Sequence, residues 1–233
     1  EQLTTWGLGL SAAEELGDRA LEGHAHRLLG QANARAGLRD EASDHLRQAL
    51  DLAWETGDIQ GEARAYYDLT WVWRQTDDRR ALDCAGKALR LFRRLGNPVW
   101  EAEALSMMGW HQALLGDLTE SRTSCEQALA VFVEHDNRQG QAITLDCLGY
   151  VEHRSGRHDR ALACFERSLE LCRDLGATYY EADTLDHLAS THFALGHHAE
   201  ARRAWQRALA LHRTQHRLTD ATRVARHLSE LDG

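Results

Sequence analysis

Fourteen histidines, five cysteines and a series of regularly spaced tryptophan, tyrosine and arginine residues are the side chains of this chain best equipped for chemistry. A structural zinc site takes about four nitrogen or sulfur ligands, usually delivered as close pairs. His212 and His216 are four apart, His197 and His198 are adjacent, and His24 and His26 are two apart, on different sides of a helix. No His-Glu-x-x-His pattern and no Cys-x-x-Cys pair accompanies them. The histidines are therefore expected at the surface or in a groove, with no metal. Cys84, Cys125, Cys147, Cys164 and Cys172 are scattered singly through helical patterns, as reduced thiols filling core positions would be. Gly86-Lys87-Ala88 contains the only lysine, but Ala81 stands where a phosphate-binding loop has its first glycine, and no hydroxyl residue follows Lys87. No catalytic residue and no cofactor is expected; the chain reads as a binder.

The elements that position these side chains repeat. Turn signals recur at Gly57, Gly96, Asp136, Gly176 and His216, at intervals of 39, 40, 40 and 40 residues, and Gly17 extends the series backwards. Within each interval a first segment carries a large residue followed by a small one: Leu29-Gly30, Leu69-Thr70, Met108-Gly109, Leu148-Gly149 and Leu188-Ala189. A second segment opens its apolar stripe with Ala42, Ala81, Ser121, Ala161 and Ala201. It continues four residues later with Leu46, Ala85, Cys125, Phe165 and Trp205, and three further on with Ala49, Ala88, Ala128, Ser168 and Ala208. Offsets of three and four place such residues on one face of a helix. Gly37, Gly116, Gly156 and Gly196 fall between the two segments, where a left-handed cap residue is needed, and Gln75-Thr76-Asp77-Asp78 replaces that glycine in the second interval. Asn97-Pro98 reads as an N-cap followed by a proline at the first helical position, and Thr178 with Glu181, and Asp117 with Glu120, have capping-box spacing.

The bulk numbers agree. A hydrophobic fraction of 43% supports a core, and Pro98 is the only proline, as long uninterrupted helices require. A net charge of −9 repels phosphate backbones, which argues against direct nucleic-acid binding. No run approaches the ~18 apolar residues that span a bilayer, so no membrane contact is expected, and the scattered cysteines fit reduced thiols in a cytoplasmic location. Residue 1 is Glu, so the chain reads as part of something longer.

The small and large positions resemble the tetratricopeptide repeat, whose usual period is about 34 residues; HEAT and armadillo arrays, near 40–47, are the rival by length alone. The resemblance implies an all-α fold, a right-handed superhelical solenoid of antiparallel helix pairs. Its repeats are 18–57, 58–96, 97–136, 137–176 and 177–216, in one continuous domain. Residues 1–17, with Leu8, Ala12, Ala13 and Leu16, would be the second helix of a truncated repeat. Residues 217–233, with Leu218, Ala221, Val224, Leu228 and Leu231, would be a capping helix.

In such arrays the first helices line the concave surface, where a protein or peptide binds. The residue after each small position then faces the groove: Gln31, Trp71, Trp110, Tyr150 and Ser190, an exposed or half-exposed ladder with three consecutive aromatics, the alternative being that Trp71 and Trp110 pack in the core. Four residues before this ladder lie Arg27, Tyr67, Ser106, Asp146 and Asp186; three after it lie Arg74, His153 and Phe193 among others. Charge is graded along the groove, with Arg27, Arg35, Arg64 and Arg74 early and Asp146, Asp183 and Asp186 late, which would orient a ligand having one acidic and one basic end. The joins Thr56-Gly57-Asp58 and Leu95-Gly96-Asn97, with the arginine-rich composition, also resemble the C-terminal repeat regions of actinobacterial transcriptional regulators of the SARP and STAND ATPase type. That resemblance implies a sensor module contacting other domains of the same polypeptide. A stand-alone scaffold and a small-molecule sensor are the other readings.

Overall fold

The computed structural model describes residues 2–74 and 76–232, apart from the side chains of Gln2 and Asp232; Gln75 of the short second turn lies outside the described residues, as do Glu1 and Gly233 at the two ends. The described residues form helices and turns, with no strand. The chain divides into two compact units, Glu1–Leu115 and Gly116–Gly233, and the division falls inside the interval 97–136.

The first unit holds α1 (Gln2–Leu16), α2 (Arg19–Arg35), α3 (Arg39–Thr56), α4 (Ile59–Trp73), α5 (Asp78–Leu95) and α6 (Pro98–Leu115). Each helix packs on its sequence neighbour, and α2 also touches α4, so first helices lie side by side. The second unit holds α7 (Leu118–Glu134), α8 (Arg138–Arg154), α9 (His158–Leu175), α10 (Thr178–Ala194), α11 (His198–Thr214) and α12 (Leu218–Asp232), again packed in order, with α8 touching α10.

Why these segments pair is visible at the repeating slots. All fifteen second-helix residues singled out by the repeat are buried, from Ala42, Leu46 and Ala49 through Ala201, Trp205 and Ala208. Small and large residues compensate across each hairpin. A Cβ on Gly30 would stand 2.6 Å from Leu46 Cγ, and one on Gly149 would stand 2.4 Å from the Phe165 ring. Thr70 occupies the first-helix slot where the second-helix slot holds the small Ala85, both fully buried, and Ala189 shares a core cluster with the bulky Trp205. Of the large first-helix residues, Leu29, Leu69 and Leu148 are buried while Met108 and Leu188 are half-buried, with Met107 buried beside Met108.

The turns follow the glycine series. Gly57, Gly96 and Gly176 end their helices in the left-handed region with φ of 70°, 64° and 63°, which a residue with a Cβ adopts only at a cost. Asp136 and His216 take the same conformation without being glycine. Asp18, Asp58, Asn97 and Asn137 cap the first helices, as in the 3.1 Å bond from the Trp100 N–H to Asn97 Oδ1. Neither expected capping box forms. Asp117 makes no side-chain cap bond, and Ala177 rather than Thr178 is the N-cap of α10, which frees Glu181 to accept from Arg207 Nη2 at 2.6 Å.

At the two ends the expected stripes are partly open. Ala13 of α1 is buried, but Leu8 and Leu16 are 70% and 75% exposed, and Ala12 is exposed. In α12, Ala221 and Val224 are buried and Leu228 and Leu231 pack on the Trp205 cluster, whereas Leu218 lies outside it. The histidines depart most from expectation: His26, His111 and His212 are buried. His111 Nδ1 is 3.0 Å from Asp78 Oδ1, while neither ring nitrogen of His212 has a hydrogen-bond partner among the described residues.

Candidate partner-binding site

In the first unit the ladder residues Gln31, Trp71 and Trp110 come from α2, α4 and α6, and all three are half-buried. Arg74, the C-cap of α4, holds its guanidinium 5.3 Å from the Trp71 ring centre and 5.8 Å from that of Trp110, within the range of cation–π attraction. The result is a platform of two indoles and a cation with partly solvated faces. Tyr67, also half-buried, has its ring centre 6.4 Å from that of Phe92. Ser106 is buried, so its hydroxyl lies beneath this face rather than on it.

Two other arginines of this face, Arg27 and Arg64, have structural partners. Arg27 Nη1 donates to Asp68 Oδ2 at 3.0 Å, and Gln31 Nε2 donates to the same oxygen at 2.8 Å, joining α2 to α4. Asp68 is almost wholly buried; burial pushes its pKa up against the opposing pull of Arg27 and Gln31. Arg64 Nη1 donates to Glu103 Oε2 at 3.2 Å and lies 4.2 Å from the Trp100 ring centre. Burial likewise raises the Glu103 pKa, with Arg64 acting against it. Arg35 is exposed at the end of α2.

In the second unit α8 and α10 carry Asp146, Tyr150, His153, Asp183, Asp186, Ser190 and Phe193. The three acids each meet a cation. His187 Nδ1 is 3.0 and 3.1 Å from the two oxygens of Asp146. Burial works to lower the His187 pKa, but Asp146, followed by Asp186 and Asp183, outweighs it and the value stands at about 9. Asp183 is ion-paired with Arg217. Asp186 is buried, accepts from Trp205 Nε1 at 2.8 Å and pairs with Arg223. The acidic end foreseen for the groove is thus internally neutralised, and Asp186 is not available on the surface. Tyr150 is half-buried, accepts from Arg154 Nη1 at 2.9 Å and has its ring centre 5.5 Å from that of His187. His153 Nδ1 is 3.0 Å from Thr191 Oγ1; burial lowers its pKa, helped by His158 and His187. The Ser190 hydroxyl donates to the Asp186 carbonyl, and Phe193 is 43% exposed beside Trp205.

Among the described residues no three of His, Cys, Asp and Glu converge as metal ligands would, and no helix is long and apolar enough to cross a membrane. Residues 140–214 match the family described as tetratricopeptide repeat. The fold is that of a tetratricopeptide-repeat array. The array is 25% identical over 182 residues to the 43 kDa receptor-associated protein of the synapse from Tetronarce californica; the match takes in 75% of this chain and 44% of that protein, so the chain spans less than half the length of this relative. Among solved structures it is similar to BtubC (BKLC) from P. vanneervenii, at 19% identity and TM-score 0.71 over 92% of this chain and 91% of that one. It is similar to NprR in complex with its cognate peptide NprX, at 19% identity and TM-score 0.68 over 98% and 66%. It is also similar to a STAND protein with a tetratricopeptide repeat sensor, PH0952 from Pyrococcus horikoshii, at 14% identity and TM-score 0.69 over 95% and 38%.

Sequence reasoning missed Asp68, Glu103, His187, Arg217 and Arg223, the partners that hold the array's first-helix charges. A signal for them does exist. Each lies 34 to 41 residues from the residue it pairs with, so opposite charges about one repeat apart mark the lacing between successive first helices.

Proposed function

We propose that the array is a non-catalytic binding module for a protein or peptide, taken along the first helices and centred on Trp71, Arg74 and Trp110, and that it serves as the sensor part of a larger regulator. The observation that carries this reading is the half-buried pair of indoles with one guanidinium 5.3 and 5.8 Å from their ring centres. Tryptophan and arginine desolvate a large area with few rotatable bonds and dominate interface energetics. The neutralised charges around them leave apolar and stacking contact as the main source of affinity, in preference to the end-to-end charge gradient read from the sequence. Similarity in fold to NprR in complex with its cognate peptide and to a STAND protein with a tetratricopeptide repeat sensor supports the peptide ligand and the regulatory setting.

The test is a displayed random-peptide library panned against the wild-type chain and against Trp71→Ala/Trp110→Ala. Enriched peptides should bind the wild type and lose tenfold or more in the double variant, about 1.4 kcal/mol or above, while its helical content and melting temperature stay close to wild type. Equal binding to both proteins would remove the indole platform from the function, and a collapse of the melting transition would place the rings among the core residues.

A further inference from the structure

Two of the five thiols meet. Cys125 of α7 and Cys147 of α8 are both buried, with their Sγ atoms 2.9 Å apart and 22 positions apart in sequence. A disulfide has its sulfurs about 2.05 Å apart, so joining these two asks for a closure of less than about 1 Å. The two thiols lie on neighbouring helices of one compact unit that already touch, so the cross-link joins elements that are packed together before it forms. Cys147 also follows Asp146 and precedes Tyr150 by one turn, which puts the pair at the root of the face described above.

We propose that Cys125 and Cys147 form a redox modification site, a reversible disulfide tying α7 to α8, made by exchange with a low-molecular-weight disulfide such as oxidised glutathione. One cysteine gives up its proton, and its thiolate attacks a glutathione sulfur, releasing one glutathione as thiol and leaving a mixed disulfide. The second cysteine, likewise deprotonated, attacks the protein sulfur of that mixed disulfide and releases the second glutathione. Two protein thiols are oxidised, one glutathione disulfide is reduced, and the two protons leave with the two glutathione thiols. Attack requires the thiolate, and the hydrogen bond from Cys125 together with burial holds the Cys147 thiol well above its ordinary range. Exchange is therefore slow in the closed fold and passes through local opening of α7 from α8. Once formed, the bond closes a loop that restricts the unfolded chain and fixes the helix that carries Asp146, Tyr150 and His153.

Trypsin separates the two cysteines, cutting after Arg122, Arg138 and Arg154 to leave Cys125 in 123–138 and Cys147 in 139–154, with the other three thiols on peptides of their own. The folded full chain is incubated with oxidised glutathione at pH 8, alkylated, digested and mapped without reductant. Peptides 123–138 and 139–154 should appear joined, lighter by two hydrogens than their sum and separated by dithiothreitol. The circular dichroism of the oxidised protein should be unchanged and its melting temperature raised by several degrees. Cys125→Ser and Cys147→Ser should each abolish both the joined peptide and the rise; the wild-type map decides the matter even where one variant fails to fold. Recovery of both peptides singly alkylated, a link to a different cysteine, or a link that forms only in urea would overturn the proposal.

Discussion

The two units present residues from the same repeat slots and hold them by different chemistry. In the first, Arg27 and Arg64 pair with carboxylates, but Arg64 also lies over Trp100, and Arg74 lies near the rings of both Trp71 and Trp110. In the second, each acid of the expected site is held by a cation, His187 on Asp146, Arg217 on Asp183 and Arg223 on Asp186, and Arg217 lies over the Tyr179 ring as well. The scaffold tolerates both because the slots that stack the helices are separate from those that face outward. A ring partner leaves an apolar, partly solvated surface that a ligand can cover. A carboxylate partner consumes the charge and makes it part of the framework. The function proposed above accordingly centres on the first unit, whereas in the second the charges of the corresponding residues are paired and His187 is the group whose titration the next predictions test.

The sharpest break would come from the tryptophans themselves. Trp205 is buried in the core of the second unit and donates to Asp186, so Trp205→Ala should cost about 3–5 kcal/mol of stability in thermal or urea unfolding. Trp71→Ala, at a half-buried position, should cost well under half of that; equal losses would erase the distinction between framework and surface rings.

Next in size is the pH dependence of the second unit. The folded pKa of His187, about 9, lies above its unfolded value of about 6.5. Its stabilisation is thus fully present below pH 6.5 and is lost as pH rises towards 9, and amounts to about 2–3 kcal/mol. Melting curves of the wild type and His187→Gln should differ most near pH 6 and converge by pH 9. A gap that stays constant would mean that the Asp146 pair does not carry the charge.

The smallest effect is at the joins. Asp136 holds φ of 47° where most other joins have glycine, so Asp136→Gly should raise stability by up to about 1 kcal/mol, and Gly57→Ala at the equivalent turn of the first unit should lower it by about the same amount. Chemical denaturation of the two variants measures both; a destabilised Asp136→Gly would show that this aspartate earns its place by more than its backbone.

Much of the array was legible in the amino-acid sequence because its determinants are local and periodic. A glycine is needed wherever the chain turns through positive φ, and small residues are needed wherever two helices of a hairpin approach, as at Gly30 under Leu46 and Gly149 under Phe165. These demands recur every 39 or 40 residues and can be read without knowing what lies across the fold. Three features escaped. The Thr178 and Glu181 capping box is absent because α10 starts one residue earlier than expected, with Ala177 as its N-cap, and Glu181 pairs instead with Arg207, 26 residues away. The charges expected to form a gradient are paired at Arg27, Arg64, Asp146, Asp183 and Asp186 with partners about one repeat distant. His111 and His212 are interior, where a ring among apolar side chains is set by neighbours from other helices. Helix, turn and hairpin spacing were determined by the sequence alone, since each depends on residues within one turn or one repeat. Which charges are spent and which rings stay open was decided only by the tertiary structure, because ion pairs and burial depend on side chains that meet after the repeats have stacked.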